Sequence, residues 1–312
     1  MRLLFLLFVG IVAILFSVGV QADPSVSGEL ELELLTTEDP LTQAVLVVNE
    51  PLEPHEERVL KAIGLQIEGS ENHSFYVSLS WKMLQKLKDK DYIASVGPDF
   101  TVQLLPINGF IETNLGDVFT LKVPPSALGN GIRIALIDSG VTSSSVQATS
   151  EIDFTGEGTA DMHAHGTNVA EYVHSIVPNA LIISLKVIDE KGEGKINNVA
   201  QAINWSIENN VNVIVMGFGG AISNCGSDVL SDVVEEAAEA GIIVVAPAGD
   251  PTVNGFMSPG CADKTLSVGL SQPLASNYPD MVVSGNPSTL GVAMAAAHVG
   301  AVAGLLWSEK PD

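Results

Sequence analysis

A chain of 312 residues, 46% of them apolar, is long enough for one medium domain with a small companion. Its 14 Lys+Arg stand against 37 Asp+Glu, a formal charge of -23. Acidity on that scale repels phosphate backbones and anionic bilayers, which excludes nucleic acid and acidic membrane surfaces as partners.

In chain order, Arg2 precedes an apolar run over residues 3–20 that ends in Val20-Gln21-Ala22, small residues at the spacing of a signal-peptidase site. Residues 1–22 read as a secretory signal, after whose removal no membrane contact is expected. Residues 23–42 are polar and acidic and read as a linker, although Glu29-Leu30-Glu31-Leu32-Glu33-Leu34 alternates as an edge strand does. Residues 43–104 read as a small α+β unit of βαββαβ order. Gln43–Asn49 is a buried strand. Pro54–Gly64 is a helix with proline in its first turn, acids after it and a closing glycine. Ser74–Ser80 alternates as a strand, Ser80 caps a helix over Trp81–Lys90, and Tyr92–Val96 is a further strand. Residues 105–131, with Pro106, Pro124 and Pro125, form a second linker.

From residue 132 the pattern becomes α/β. Ile132–Val141 is an apolar strand ending in Asp138-Ser139-Gly140, and the carboxyl end of a buried parallel strand is where such folds place functional groups. Asp161–Ala170 carries His163 and His165, the latter at the start of a helix, where the positive dipole end favours a neutral imidazole. His163 and His165, with Asp161 and His174 nearby, invite a zinc reading, but both cysteines lie far along the chain and no His-Glu-x-x-His occurs, so no metal is expected. Ile196–Asn209 is an amphipathic helix and Val211–Gly220 a strand running into Gly217-Phe218-Gly219. Val229–Ala240 is a helix, Gly241–Asp250 a strand and turn, and Thr265–Leu270 a strand. Gly291–Gly300 is a sharp turn followed by an alanine-rich helix running to about Trp307. Cys225 and Cys261 are the two cysteines, and an even count in an exported chain predicts one disulfide, a link contributing about 3–4 kcal/mol by loop closure.

Taken together and in order, these segments resemble the subtilisin-like serine peptidases. Ile132–Val141 is similar to the strand carrying the family's catalytic aspartate, which implies that role for Asp138. Asp161–Glu171 is similar to the segment of the catalytic histidine, which implies it for His165, with Ala164, Asn168 and Glu171 standing where the family has glycine, histidine and glycine. Val211–Gly220 resembles the segment whose backbone pairs with substrate as an added strand, a task implied for Gly217, Phe218 and Gly219 that needs no particular side chain. Gly241–Asp250 resembles the stretch whose asparagine donates to the oxyanion. Asp250 occupies that place, and an ionised carboxylate only accepts. Gly291–Gly300 resembles the nucleophile segment, with Val292 at the threonine, Ala293 at the serine and Ala297 at the proline. Cys225 and Cys261 sit where secreted relatives carry a bridge, beside the specificity pocket. Residues 43–104 resemble the family's inhibitory propeptide, whose tail lies in the substrate groove. Ile93–Asp99 matches that tail, with Gly97 in place of glutamate.

The resemblance implies an α/β fold with a subtilisin-like parallel sheet flanked by helices over residues 132–312, preceded by a small ferredoxin-like propeptide domain. It implies no cofactor, because the loop that holds calcium in the family is missing between the histidine helix and Pro178. The helix and strand that normally finish the fold are also expected to be absent after Asp312. Alanine offers no nucleophile, and losing the serine from such a triad costs on the order of 10⁶ in turnover. The expected function is that of a secreted, catalytically inactive member of a serine endopeptidase family, with a peptide- or protein-binding or protease-regulating role. The expected partner is a peptide or protein in the substrate groove, its own propeptide being one candidate, with Leu104–Asn108 blocking the groove. An active endopeptidase with altered machinery and a non-functional shortened homologue are the alternatives.

Overall fold

The computed structural model describes Leu30, Leu34 and residues 41–71, 74–88, 90–98, 101–105, 128–222, 225, 228–249, 256–270, 279–283 and 287–309. The expected signal segment 1–22, most of the first linker and Asp250 lie outside these residues.

The small unit contains β1 (Thr42–Val48), α1 (Pro54–Ile63), β2 (Gln66–Glu71), β3 (Ser74–Leu79), α2 (Trp81–Leu87) and β4 (Ile93–Pro98). Its sheet has the order β2-β3-β1-β4, and β1 pairs antiparallel with both β3 and β4. Helix α1 starts where the sequence places it, with Glu56 accepting from the Glu53 amide at 2.7 Å. It stops at Gly64, whose φ of 103° a side chain opposes. Leu46, Leu60, Leu79, Leu84 and Leu87 fill the space between helices and sheet. Leu30 and Leu34 belong to this core, at 0% and 8% exposure in helical backbone. Within the stretch read as a linker, these two leucines are therefore packed residues of the small unit.

After β5 (Thr101–Leu104) the larger unit runs through β6 (Arg133–Asp138), β7 (Ser150–Asp153), α3 (His165–Ile176), β8 (Leu181–Lys186), β9 (Glu193–Lys195), α4 (Ile196–Glu208), β10 (Val213–Met216), β11 (Phe218–Ile222), α5 (Val229–Glu239), β12 (Ile243–Pro247), β13 (Phe256–Ser258), β14 (Thr265–Leu270), β15 (Met281–Val283) and α6 (Pro287–Glu309). Seven strands in the order β15-β14-β12-β10-β6-β8-β7 form one sheet, parallel throughout. Successive side chains alternate between its faces, so both faces must be covered. On β6 and β10, Ile134, Leu136, Val213 and Val215 join the core under α3 and α6. Ala135, Ile137, Ile214 and Met216 join the core under α4 and α5.

The small residues of α6 have a packing reason. A Cβ on Gly300 would lie 2.3 Å from a Val215 methyl, and one on Gly304 would lie 3.0 Å from Ile134. The helix therefore lies directly on β10 and β6. It is long and apolar enough by composition to cross a membrane, yet most of it is buried inside the protein. The small unit sits against α4 and α5, where Val45, Val47 and Tyr76 enter their core and the Tyr76 hydroxyl donates to the Asn197 carbonyl at 3.3 Å.

Candidate active site

Asp138 ends β6 and is 2% exposed. The next residue supports it: the Ser139 amide donates to Asp138 Oδ1 at 2.7 Å. Helix α3 brings His165 onto the same oxygen, with Nδ1 at 2.7 Å. The approach is possible because Gly166 has no side chain. A Cβ there would stand 2.2 Å from the Gly140 carbonyl.

Asp161 joins the turn before α3 to the loop after β6. Its Oδ1 accepts from the Ser139 hydroxyl at 2.8 Å and the His163 amide at 3.0 Å. Its Oδ2 accepts from the Thr167 amide and hydroxyl at 2.8 and 2.6 Å. Burial pushes the Asp161 carboxyl upward, but the bonds from Thr167, His163 and Ser139 hold it below the usual carboxylate range. Ala164, immediately before the helix, sits at φ 58°, ψ 10°, a left-handed conformation that explains why glycine suits this place better.

Gly217 closes the pair from β11's side. A Cβ on it would fall 2.6 Å from Asp138 Oδ2 and 2.7 Å from His165 Cε1. The imidazole and carboxylate thus fill the volume of a side chain at 217, and Asp138 Oδ2 finds no hydrogen-bond donor among the described residues.

Strand β5 occupies the groove in front of this pair. It runs antiparallel to β11, with Leu104 opposite Phe218 and Gln103 opposite Gly219. On its other edge it runs antiparallel to β9, with Val102 opposite Gly194. The sheet order is β13-β11-β5-β9, so β5 joins two pieces of the larger unit. The Leu105 amide donates to the Gly217 carbonyl at 3.2 Å, and its own carbonyl lies 2.9 Å from His165 Nε2. Burial works to lower the His165 pKa. The Asp138 charge and hydrogen bond, with the bond to Leu105, outweigh it and the net shift is upward.

Ala293 begins the long part of α6, two residues after the break at Gly291 (φ 60°, ψ 149°). It is fully buried in the apolar cluster that also holds Leu105, Met257 and Val292. Cys225 and Cys261 form a disulfide, Cα atoms 5.8 Å apart. Nearby, Asp228 caps α5 and accepts from the Ser258 hydroxyl at 2.7 Å, fixing the start of that helix against β13.

Of the residues singled out from sequence, Asp138, His165 and Gly217 meet directly, and Phe218 and Gly219 offer backbone to β5. Ala293 shares a cluster with Leu105, the residue just after the strand, and Asp250 lies outside the described residues. Sequence reading did not single out Val102 or the clamp at Asp161. The acid at the head of the histidine segment was the available signal for the last. Among the described residues no group of three or more His, Cys, Asp or Glu side chains is arranged to hold a metal ion. His163 instead turns Nε2 toward the Asp189 carbonyl at 2.9 Å.

The subtilase family model matches residues 129–312. The thermostable alkaline protease of Halalkalibacterium halodurans is 27% identical, an alignment covering 86% of this chain and 82% of that protein. Subtilisin E of Bacillus subtilis is 30% identical over 59% of this chain and 57% of its own length. Subtilisin of Bacillus pumilus is 30% identical over 59% of this chain and 79% of its own length.

Proposed function

The chain belongs to the subtilase family, and from that premise we propose that it is an exported, proteolytically silent subtilase whose groove binds extended peptide. Residues 43–104 act as its propeptide domain and residues 101–105 as the first occupant. One juxtaposition carries the reading: a peptide strand lies along β11 and β9 with its Leu105 carbonyl on His165, while the nucleophile position belongs to Ala293.

The chemistry follows from what each residue offers. Asp138 and His165 remain a hydrogen-bonded acid–base pair. Acyl transfer also needs an atom with a lone pair to attack the carbonyl, and the methyl of Ala293 has none. Asp250 at the oxyanion position accepts rather than donates, so the second support of the reaction is also withdrawn. Peptide affinity is independent of both losses, because it comes from main-chain pairing along the edges of β11 and β9. Cleavage of the chain's own propeptide by the family route is closed for the same reason. The role left is to bind peptide or protein, and through it to regulate another protease. Export rests on the signal-like residues 1–22 and is supported by the Cys225–Cys261 bridge.

The test is a peptidase assay on the full chain and on Ala293→Ser combined with Asp250→Asn, together with the amino-terminal sequence of the secreted product. The wild type is expected to show no turnover and to keep residues 43–104 attached. The double variant is expected to recover measurable cleavage. Wild-type turnover that disappears in His165→Ala, or a mature chain beginning near residue 109 without added protease, overturns the reading.

A further inference from the structure

A neutral imidazole carries one N–H, and His165 is asked for two. Asp138 Oδ1 stands 2.7 Å from Nδ1, and the Leu105 carbonyl stands 2.9 Å from Nε2. An amide carbonyl has no proton to give, so Nε2 must donate. Asp138 Oδ1 already accepts from the Ser139 amide, which holds that oxygen as an acceptor toward Nδ1. With the strand in place the Asp138–His165 pair therefore carries one proton more than a carboxylate beside a neutral imidazole. A base awaiting a serine proton needs the opposite state, a bare Nε2. Ala293 gives Nε2 no hydroxyl to face, and the peptide carbonyl takes that place.

We infer that His165 is a proton-coupled carbonyl latch: the groove holds an extended peptide when the Asp138–His165 pair is protonated and releases it when the pair gives up that proton. This deepens, and rests on, the reading of the groove as a peptide-binding site. It names a property of the ligand as well, since the strand must present a main-chain carbonyl one residue beyond its last residue paired with β11.

The electrostatic surroundings favour the charged form. Asp138 on β6 and Asp161 from the turn before α3 both act on His165 in that direction. The charged residue of β8 is Lys186, fully buried, whose ammonium is turned to the carbonyls of Ser139 and Ile188 at 3.0 and 2.8 Å. Strand β11 brings Phe218 and glycines, and the part of α6 beside Leu105 brings Val292 and alanines, none of them charged. Burial alone depresses the imidazole, and Asp138 with the Leu105 carbonyl reverses this to a net rise. When the strand leaves, Nε2 loses its acceptor and that part of the rise goes with it. Strand retention is thus complete while the pH stays below the open-state value. It weakens as pH climbs toward the higher bound-state value. One linked proton sets the steepest slope at about tenfold in the opening ratio per pH unit.

The experiment is amide exchange at Leu104 and Leu105 in the full chain between about pH 5.5 and 8.5, corrected for intrinsic exchange and compared with His165→Gln. Nitrogen-15 shifts of the His165 ring are recorded in parallel on the wild type. Expected are two protonated ring nitrogens in the protected state, opening that grows with pH by up to about tenfold per unit in the wild type, and a flat profile in His165→Gln. Protected amides with a flat wild-type profile, or a neutral ring while the strand stays protected, overturn the latch and leave the peptide groove intact. Amides unprotected at every pH overturn both. If His165→Gln does not fold, the wild-type ring titration decides.

Discussion

Leu105→Ala separates what the side chain of the bound strand contributes from what its backbone contributes. Leu105 is 5% exposed and packs in the cluster with Met257, Val292 and Ala293, whereas its amide and carbonyl bonds to Gly217 and His165 are untouched by the change. Three carbons leave an apolar site, and at about 0.8 kcal/mol for each the docked strand loses roughly 2–3 kcal/mol. Every 1.4 kcal/mol is a factor of ten, so opening of residues 101–105 is expected to rise about 30- to 150-fold. Exchange at the amides of positions 104 and 105 reads this directly, with the amides of β6 as the internal control. If the strand amides keep wild-type protection, or exchange faster only in step with those of β6, then β5 is not a separately dissociable occupant and the reasoning fails.

Two further outcomes follow from the same region. Ala164 holds a left-handed conformation at φ 58°, which costs a residue with a Cβ about 1–2 kcal/mol. Ala164→Gly gives part of that back against the greater freedom of glycine in the unfolded chain, so a gain of about 0.5–1 kcal/mol in urea unfolding is expected, and a loss refutes the strain. Asp161 accepts four hydrogen bonds, and these hold its carboxyl below the usual range against the upward push of burial. Its contribution is present above the unfolded value near 3.9 and is lost as pH falls through the depressed folded value. The acid limb of the stability profile should therefore flatten in Asp161→Asn, which is also less stable near neutrality. Parallel profiles for the two proteins argue against the clamp.

The long-range frame was legible because its elements carry strong local signals. Apolar runs such as Ile134–Ile137 and Val213–Met216 are bounded by turn residues, and Asp138 and His165 sit at the end of a strand and the start of a helix. What escaped depends on partners far away in the chain. Thr101–Leu104 has no internal mark of a strand, because its pairing partners are Glu193–Lys195 and the beginning of β11. The closeness of Gly217 to the acid–base pair is a tertiary fact, since a glycine after a strand usually signals only a turn. Leu30 and Leu34 escaped for a related reason: a Glu-Leu alternation satisfies the two-residue period, and only packing against the small unit's core shows that these two side chains are buried.

Strand β5 is covalently tied to the unit that docks on α4 and α5, with only Asp99 and Phe100 between the end of β4 and its own first residue. A tether that short sets an effective concentration on the order of millimolar. A free peptide with the same intrinsic affinity must reach a comparable concentration before it half-displaces the resident strand, so dilute ligands meet a groove that is already taken. Cutting the chain between residues 105 and 128 does not by itself lift this advantage, because the small unit keeps its own contacts through Val45, Val47 and Tyr76. Weakening those contacts is what turns the strand into an ordinary competitor.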